Sequence, residues 1–328
     1  MPIPDVPVYF LTPPAQGLVF SAFIERTKDP LATVITKEAS EVGFDWKGFR
    51  DWRWFLSSQG YYGKAHDPER GVRCISNPTF SSADKRWIST GHPVSYRDYV
   101  CSEHSAGLCA PGVLPNMRRL FDGDAWDIGS LDLDDVPSAA ARYSLFLSIS
   151  ALILTDDGYF VLQRRSNRVE TGRGSLGASF AGGVHSKRDR SSIVTPTGVV
   201  KGWDLRETTF REMEEELGLS RDDISFDKTN CPFIGAAFNL RYGRDLNFYA
   251  LCKTRLRSYE IGVWNKGDGH TRESVLRRGR WETERLEYLN ADRVTENAIV
   301  NGKLESHLVG RSRHLLGALY SWAVYTGN

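Results

Sequence analysis

An α/β fold is predicted for this chain by three observations: strand-like apolar runs on both sides of one acidic helix, a turn signal between the first two runs, and an apolar helical pattern near the C-terminus. "YSLFLSISALILTDDGYFVLQRRS" reads as two strands around an Asp157-Gly158 hairpin turn. A further strand ends at Gly182-Gly183 in "SLGASFAGGV". A helix follows at about residues 204–217, with Asp204 as N-cap, Glu207 as its N3 partner, a Glu207–Arg211 ion pair and Gly218 as the stop. Then come the strand-like runs "CPFIGAAFNL" and "LNFYALCKT", a stretch about "RWETERLEYL", and a closing helix in "SHLVGRSRHLLGALYSWAVYTG".

These elements place an α/β domain at residues 140–328. The acidic, small-residue-rich segment 122–143 marks a boundary, and residues 1–125 form an added, aromatic-rich N-terminal α+β region containing Trp46, Trp52, Trp54 and Trp87. A chain of 328 residues has ample material for a core in one large domain or two modest ones. With a net charge of +1 it exerts no strong global pull on nucleic acid or acidic membranes, so neither is expected as a partner. Its five cysteines are scattered without a CxxC pair, which indicates free thiols in a reducing cytoplasm rather than a zinc site or disulfide framework. No signal peptide is visible at the N-terminus, and no run approaches the ~20 apolar residues of a transmembrane helix.

The acidic helix raises a question of charge. In "REMEEELGL" (211–219) four glutamates fall within five residues' reach of one another. At about 100° per residue, Phe210, Met213 and Leu217 make one apolar stripe, while Glu212, Glu215 and Glu216 gather on the opposite side. Glu214 lies apart from that trio and reads as an ordinary surface residue. Like charges so spaced destabilise a helix by about 0.2–0.5 kcal/mol per pair. Either the face is simply solvated, or its clustered oxygens serve a hard divalent cation such as Mg²⁺ or Mn²⁺.

"REMEEELGL" resembles, letter for letter, the second half of the Nudix box, R-E-aliphatic-x-E-E-x-G-aliphatic. The resemblance implies a Nudix fold, a mixed sheet sandwiched between helices. It also implies that Glu212, Glu215 and Glu216 bind Mg²⁺ (with Mn²⁺ as a substitute) and that Arg211 orients them through an ion pair. The first half of the box departs from the pattern. Gly202 is followed by Trp203 where the family has glutamate, and "VHSKRDRSSIVTPTGVVK" (184–201) reads as an insertion after the glycine pair. Gly182 and Gly183 are expected to let the backbone approach metal or phosphate closely, or else simply to end the strand.

Nudix enzymes hydrolyse a nucleoside diphosphate linked to another group. "VSYRDYVCSEHSA" (94–106) and "TDDGYFVLQRRSNRVETGRGSLGASFAGG" (155–183), followed by a long insertion, resemble Nudix-type UDP-sugar diphosphatases. That implies cleavage of UDP-glucose or UDP-galactose to UMP and a sugar 1-phosphate. Arg164 and Arg165 are candidate phosphate contacts, as are Lys187, Arg188 and Arg190 of the insertion, with His185 a further contact. Tyr96 is a candidate for stacking a nucleobase. Glu282, Glu284 and Glu287 are candidates for a base outside the box. Two other readings compete: a nucleotide-sensing Nudix protein without turnover, favoured by Trp203, and a hydrolase of ADP-ribose or other nucleotides. Isoprenoid diphosphate isomerisation lacks a convincing catalytic cysteine.

Overall fold

Strands dominate the computed structural model, which describes residues 18–21, 34–38, 70–74, 79–81, 86–95, 146–167, 174–195, 198–224, 232–239, 246–264, 283–300, 303–304 and 312–327. Before residue 125 lie β1 (Leu18–Ser21), β2 (Val34–Glu38), β3 (Arg70–Cys74), β4 (Thr79–Ser81) and β5 (Arg86–Ser95). The hairpin predicted around Asp157-Gly158 is formed by β6 (Leu147–Leu154) and β7 (Tyr159–Arg165). Gly158 takes φ 80° at its turn, a conformation that favours glycine. Next come β8 (Leu176–Gly177), β9 (Phe180–Gly183), β10 (Arg190–Thr195), β11 (Gly198–Asp204) and the acidic helix α1 (Leu205–Leu217). The remainder is β12 (Phe233–Asn239), β13 (Leu246–Lys253), α2 (Ser258–Trp264), β14 (Thr283–Asn290), α3 (Glu296–Val300) and α4 (Arg313–Thr326).

Two sheets result. The larger runs β1-β12-β13-β6-β7-β14, with β8 beside β7 and β9 beside β6. It is mixed: β13 and β6 are parallel, while the other pairs are antiparallel. β6 is central and buried on both faces, as a near-continuous run of apolar and small residues requires. Its Leu147, Ile149, Ala151 and Ile153 pack with Phe210, Met213 and Leu217 of α1 on one face. Its Leu152 packs on the other with Leu315, Leu319 and Trp322 of α4. Fully burying each of those large apolar side chains contributes about 1.5–3 kcal/mol, and this holds both helices to the sheet. The architecture is therefore mixed α/β, with α1 and α4 on opposite faces.

The smaller sheet runs β10-β11-β2-β5-β3, with β4 beside β5. Residues 184–201, read from sequence as an insertion, supply β10 and most of β11 as a hairpin, and β11 continues the sheet through β2. Strands from before residue 125 thus share both sheets with strands from after residue 140, since β1 also pairs with β12. Phe146 ties the two sheets together. It bridges to Arg73, and its ring lies where a Cβ on Gly71 or Gly183 would fall, 1.7 and 2.3 Å away. Among the described residues no helix is long and apolar enough to cross a membrane. Cys74 and Cys252 are buried and stand outside any disulfide.

Candidate functional site

α1 begins at the predicted N-cap and ends at the predicted stop, but Asp204 caps through Arg206 and Glu207 is paired elsewhere. Asp204 accepts a hydrogen bond from Arg206 N at 3.0 Å, and Gly218 stops the helix at φ 67° with its N–H on Glu214 O. The expected Glu207–Arg211 pair is replaced. Glu207 meets Arg221 instead, and Arg211 turns toward the hairpin that precedes the helix.

The helix also differs from a one-stripe amphipathic pattern. Glu212, expected on a solvated side, is buried at 8% exposure, because β9 covers that side of α1. The glycine at 182 makes room for it. A Cβ there would stand 2.0 Å from the Glu212 Cδ, so only glycine lets this carboxyl group lie against the strand backbone. The two glycines thus have separate roles: Gly182 seats Glu212, and Gly183 seats the Phe146 ring.

Arg211 organises the cluster. Its Nε and Nη2 donate to the two carboxylate oxygens of Asp189 at 2.7 and 2.9 Å. Nη1 donates to Glu212 Oε1 at 2.7 Å and Glu215 Oε2 at 3.2 Å, and Nη2 also donates to Gly183 O at 2.9 Å. A guanidinium has five N–H donors, and these contacts use all five. Arg211 is therefore a structural clamp, as the resemblance implies, and cannot take a substrate phosphate without breaking a bond. Burial works against its charge, but its hydrogen bond to Asp189 and the charges of Glu212 and Asp189 hold it protonated beyond its ordinary range. For Glu212 burial wins: it pushes the carboxyl up to about 7 against the pull of Arg211, with Glu215 and Asp189 adding to the rise.

Asp189 is the residue that sequence reasoning passed over. It is 2% exposed and also accepts from His185 N and Thr208 Oγ1, both at 2.8 Å. The flanking Lys187, Arg188 and Arg190 drew attention as phosphate contacts. In the structure Arg188 holds Glu215 Oε1 at 3.0 Å, Arg190 pairs with Glu38, and Lys187 is exposed. His185 serves its own turn, its Nδ1 accepting from the backbone N–H groups of Lys187 and Arg188 at 3.1 Å each. Trp203, where the Nudix box pattern has glutamate, is wholly buried, and its indole N–H donates to Ser186 O at 3.0 Å. It is a core residue that pins the hairpin.

Glu216 is half-buried and Glu214 exposed. The three carboxyl groups of the trio share one flank of α1, but among the described residues no three His, Cys, Asp or Glu side chains converge as a metal-ligand group. Arg188 and Arg211 hold Glu215 by its two oxygens, and Arg211 holds Glu212. The donor set still suits a hard divalent cation: it is all oxygen, and the seat at Gly182 gives Glu212 a fixed position without a neighbouring Cβ. Beside Arg211, a cavity of about 260 Å³ is lined by Arg188, Phe210, Glu214 and Arg221, among others. Drug-sized ligands occupy pockets of about 300–1,000 Å³, so this cavity falls just below that range. Arg221 stacks over Phe210 at 4.3 Å from the ring centroid.

Other candidates lie elsewhere. Arg164 forms a bidentate pair with Glu287 at 2.7 and 3.1 Å and donates to Gly174 O at 3.1 Å, fastening β7 to β14. The Arg164 hydrogen bond, helped by Arg285, holds the Glu287 carboxyl below its ordinary range, which makes it a poor proton acceptor. Arg165 follows on β7, its Nε buried and without a hydrogen-bond partner. Glu284 is exposed on β14. Tyr96 and Glu282 lie outside the described residues.

No family model and no curated protein matches this chain. Among solved structures, a crystal structure of DR0079 from Deinococcus radiodurans is similar at 13% identity with a TM-score of 0.34, covering 53% of this chain and 83% of that one. Similarity at that level assigns no function.

Proposed function

We propose that this protein is a divalent-metal-dependent hydrolase of the Nudix type, which cleaves the diphosphate of a nucleoside diphosphate-linked substrate. The observation that carries the reading is the acidic flank of α1, where Glu212 is seated against Gly182 and joined to Glu215 by Arg211. Burying a carboxyl group costs free energy unless it is paired or coordinates a metal; Arg211 pairs Glu212, and a bound cation would add to that compensation. Glu212, Glu215 and Glu216 are the residues that would hold Mg²⁺ or Mn²⁺. When bound, such a cation neutralises charge developing on the diphosphate and lowers the pKa of water.

The chain's own residues supply the rest. Arg211 fixes the Glu212 and Glu215 carboxylates in one orientation. Arg188, an exposed cation paired with Glu215, can take a substrate phosphate on leaving that carboxylate. Hydrolysis adds water across the P–O–P bridge: a P–O bond forms to the water oxygen, the bridging P–O bond breaks, and two phosphate monoesters leave. UDP-glucose or UDP-galactose, giving UMP and a sugar 1-phosphate, is the substrate choice supported by the resemblance of residues 94–106 and 155–183.

The arginine contacts to Glu212 and Glu215 favour one alternative, a nucleotide-sensing protein without turnover. A panel of UDP-, GDP- and ADP-sugars, ADP-ribose, NAD and dinucleoside polyphosphates, assayed with Mg²⁺ and product identification, separates the two. Hydrolysis that stops in excess EDTA and returns with Mg²⁺ or Mn²⁺ is expected. Nucleotide binding without turnover on the whole panel supports the sensor, and full turnover in EDTA removes the metal role.

A further inference from the structure

We infer that Asp189 is the positioning residue of the acidic site: it holds Arg211 in the one orientation that arrays Glu212 and Glu215 for a divalent cation. The inference rests on the metal reading above and extends it to a residue outside the box. Asp189 lies in the segment that interrupts the resemblance, yet it is more deeply buried than Glu212 or Glu215, the two glutamates it serves through Arg211.

The hydrogen bonds show why the orientation depends on it. Both Asp189 oxygens receive Arg211, and Oδ2 also receives His185 N and Thr208 Oγ1. A carboxylate held by a backbone N–H, a hydroxyl and a guanidinium fork has no freedom to rotate. Arg211 is then anchored through Nε and one Nη2 hydrogen, with the second Nη2 hydrogen on Gly183 O, so Nη1 points toward Glu212 and Glu215. Removing the Asp189 charge releases one edge of the guanidinium, which is then free to turn further onto the carboxylates it now holds through Nη1 alone. At the box position filled by buried Trp203 the chain offers no carboxylate, and the hairpin supplies one from a different place.

The test measures metal binding and catalysis separately, using the full chain. Mn²⁺ affinity is read by electron paramagnetic resonance of the free ion in wild type, Asp189→Asn, Glu216→Gln and Asp204→Ala. The last removes the α1 N-cap and controls for loss of stability alone. Partners of metal ligands typically alter metal affinity by about 10–100-fold. Asp189→Asn is therefore expected to weaken Mn²⁺ by ~10-fold or more and to lower kcat with KM for the nucleotide sugar little changed. Asp204→Ala is expected to lower Tm while binding Mn²⁺ as wild type does. Should Asp189→Asn not fold, Thr208→Val removes one anchor of Asp189 and is expected to weaken Mn²⁺ in the same direction by a smaller factor. Unchanged Mn²⁺ affinity in folded Asp189→Asn, or in Thr208→Val where that variant stands in, overturns the inference while leaving the metal reading intact. Equal weakening in Asp204→Ala overturns it too, by reducing the effect to stability. Absence of Mn²⁺ binding by the wild-type chain overturns the metal reading and this inference together.

Discussion

Glu212 shows how a single residue ties stability to function. Its carboxyl is raised from 4.5 to about 7 by burial, so between those values the folded chain holds a proton that the unfolded chain has lost. Its contribution to stability is full below the lower value and falls as pH rises through about 7. Glu212→Gln removes the titration. Wild type should therefore lose Tm relative to Glu212→Gln as pH goes from about 5.5 to about 7.5, and parallel curves would contradict the burial argument. Gly182 is the companion test. The methyl of Gly182→Ala falls 2.0 Å from the Glu212 Cδ and Oε1, so the carboxyl end of that buried side chain must leave its seat on the strand. A loss of about 1–3 kcal/mol is expected from the overpacking, together with loss of turnover, read by denaturant melts and kinetics. Gly183→Ala should cost comparable stability through Phe146 without displacing Glu212.

At the scale of elements, the β10–β11 hairpin has a structural root and an exposed tip. The root holds Asp189, which anchors Arg211, and Ser186, which accepts from Trp203. The tip carries the cross-strand pair Val194 and Val199, exposed at 70% and 68%. Replacing the exposed Val194 and Val199 with Thr should leave kcat within about 3-fold and Tm nearly unchanged, surface changes being worth about 0.5 kcal/mol or less. A collapse of kcat in that variant would place chemistry at the tip. Taking out residues 184–201 entirely removes the Arg211 anchor and should abolish folding.

The hairpin also marks where sequence reasoning stops. The Asp157-Gly158 turn, β12, β13, the capped α1 and the closing α4 were legible because each carries its own periodicity and its own start or stop residue. β10 and β11 were not. Their sequence "RSSIVT…GVVKGWD" becomes strand through the pairing of β10 with β11 and of β11 with β2, which is remote in sequence. Glu212 was placed on α1 from the sequence but not in the core, because its burial depends on Gly182, thirty residues earlier and on another element. The Arg211–Asp189 clamp was hidden for the same reason, since an i,i+4 partner at Glu207 was the local expectation and a tertiary one prevailed.

For the whole molecule, the sheets decide what can be separated from what. β2 lies between β11 and β5, with Trp203 paired to Thr36 and Asp204 to Ile35 at the entry to α1. β1 covers the outer edge of β12, and Gly71 receives the Phe146 ring. A fragment from residue 140 onward loses all three contacts and opens two strand edges. It should therefore be unfolded or aggregated by circular dichroism and gel filtration, whereas adding residues 1–125 in trans should restore helix and sheet signal. A monomeric, cooperatively melting fragment would contradict this linkage. The N-terminal strands would then be accessory to the site rather than part of the frame that carries it.

The central claim, that the acidic flank of α1 holds a catalytic metal, is tested most directly by Glu216→Gln beside Glu214→Gln. Both changes remove one charge at nearly constant size, but Glu216 is half-buried and belongs to the trio, whereas Glu214 is exposed. Metal stabilisation of a transition state supplies several kcal/mol, so Glu216→Gln should lower Mg²⁺-dependent kcat on UDP-glucose by about 100-fold or more. Glu214→Gln should stay within about 3-fold of wild type on the same scale, and the thermal stability of both should match the parent. Two equal, mild effects would contradict the account and leave α1 as a solvated acidic helix.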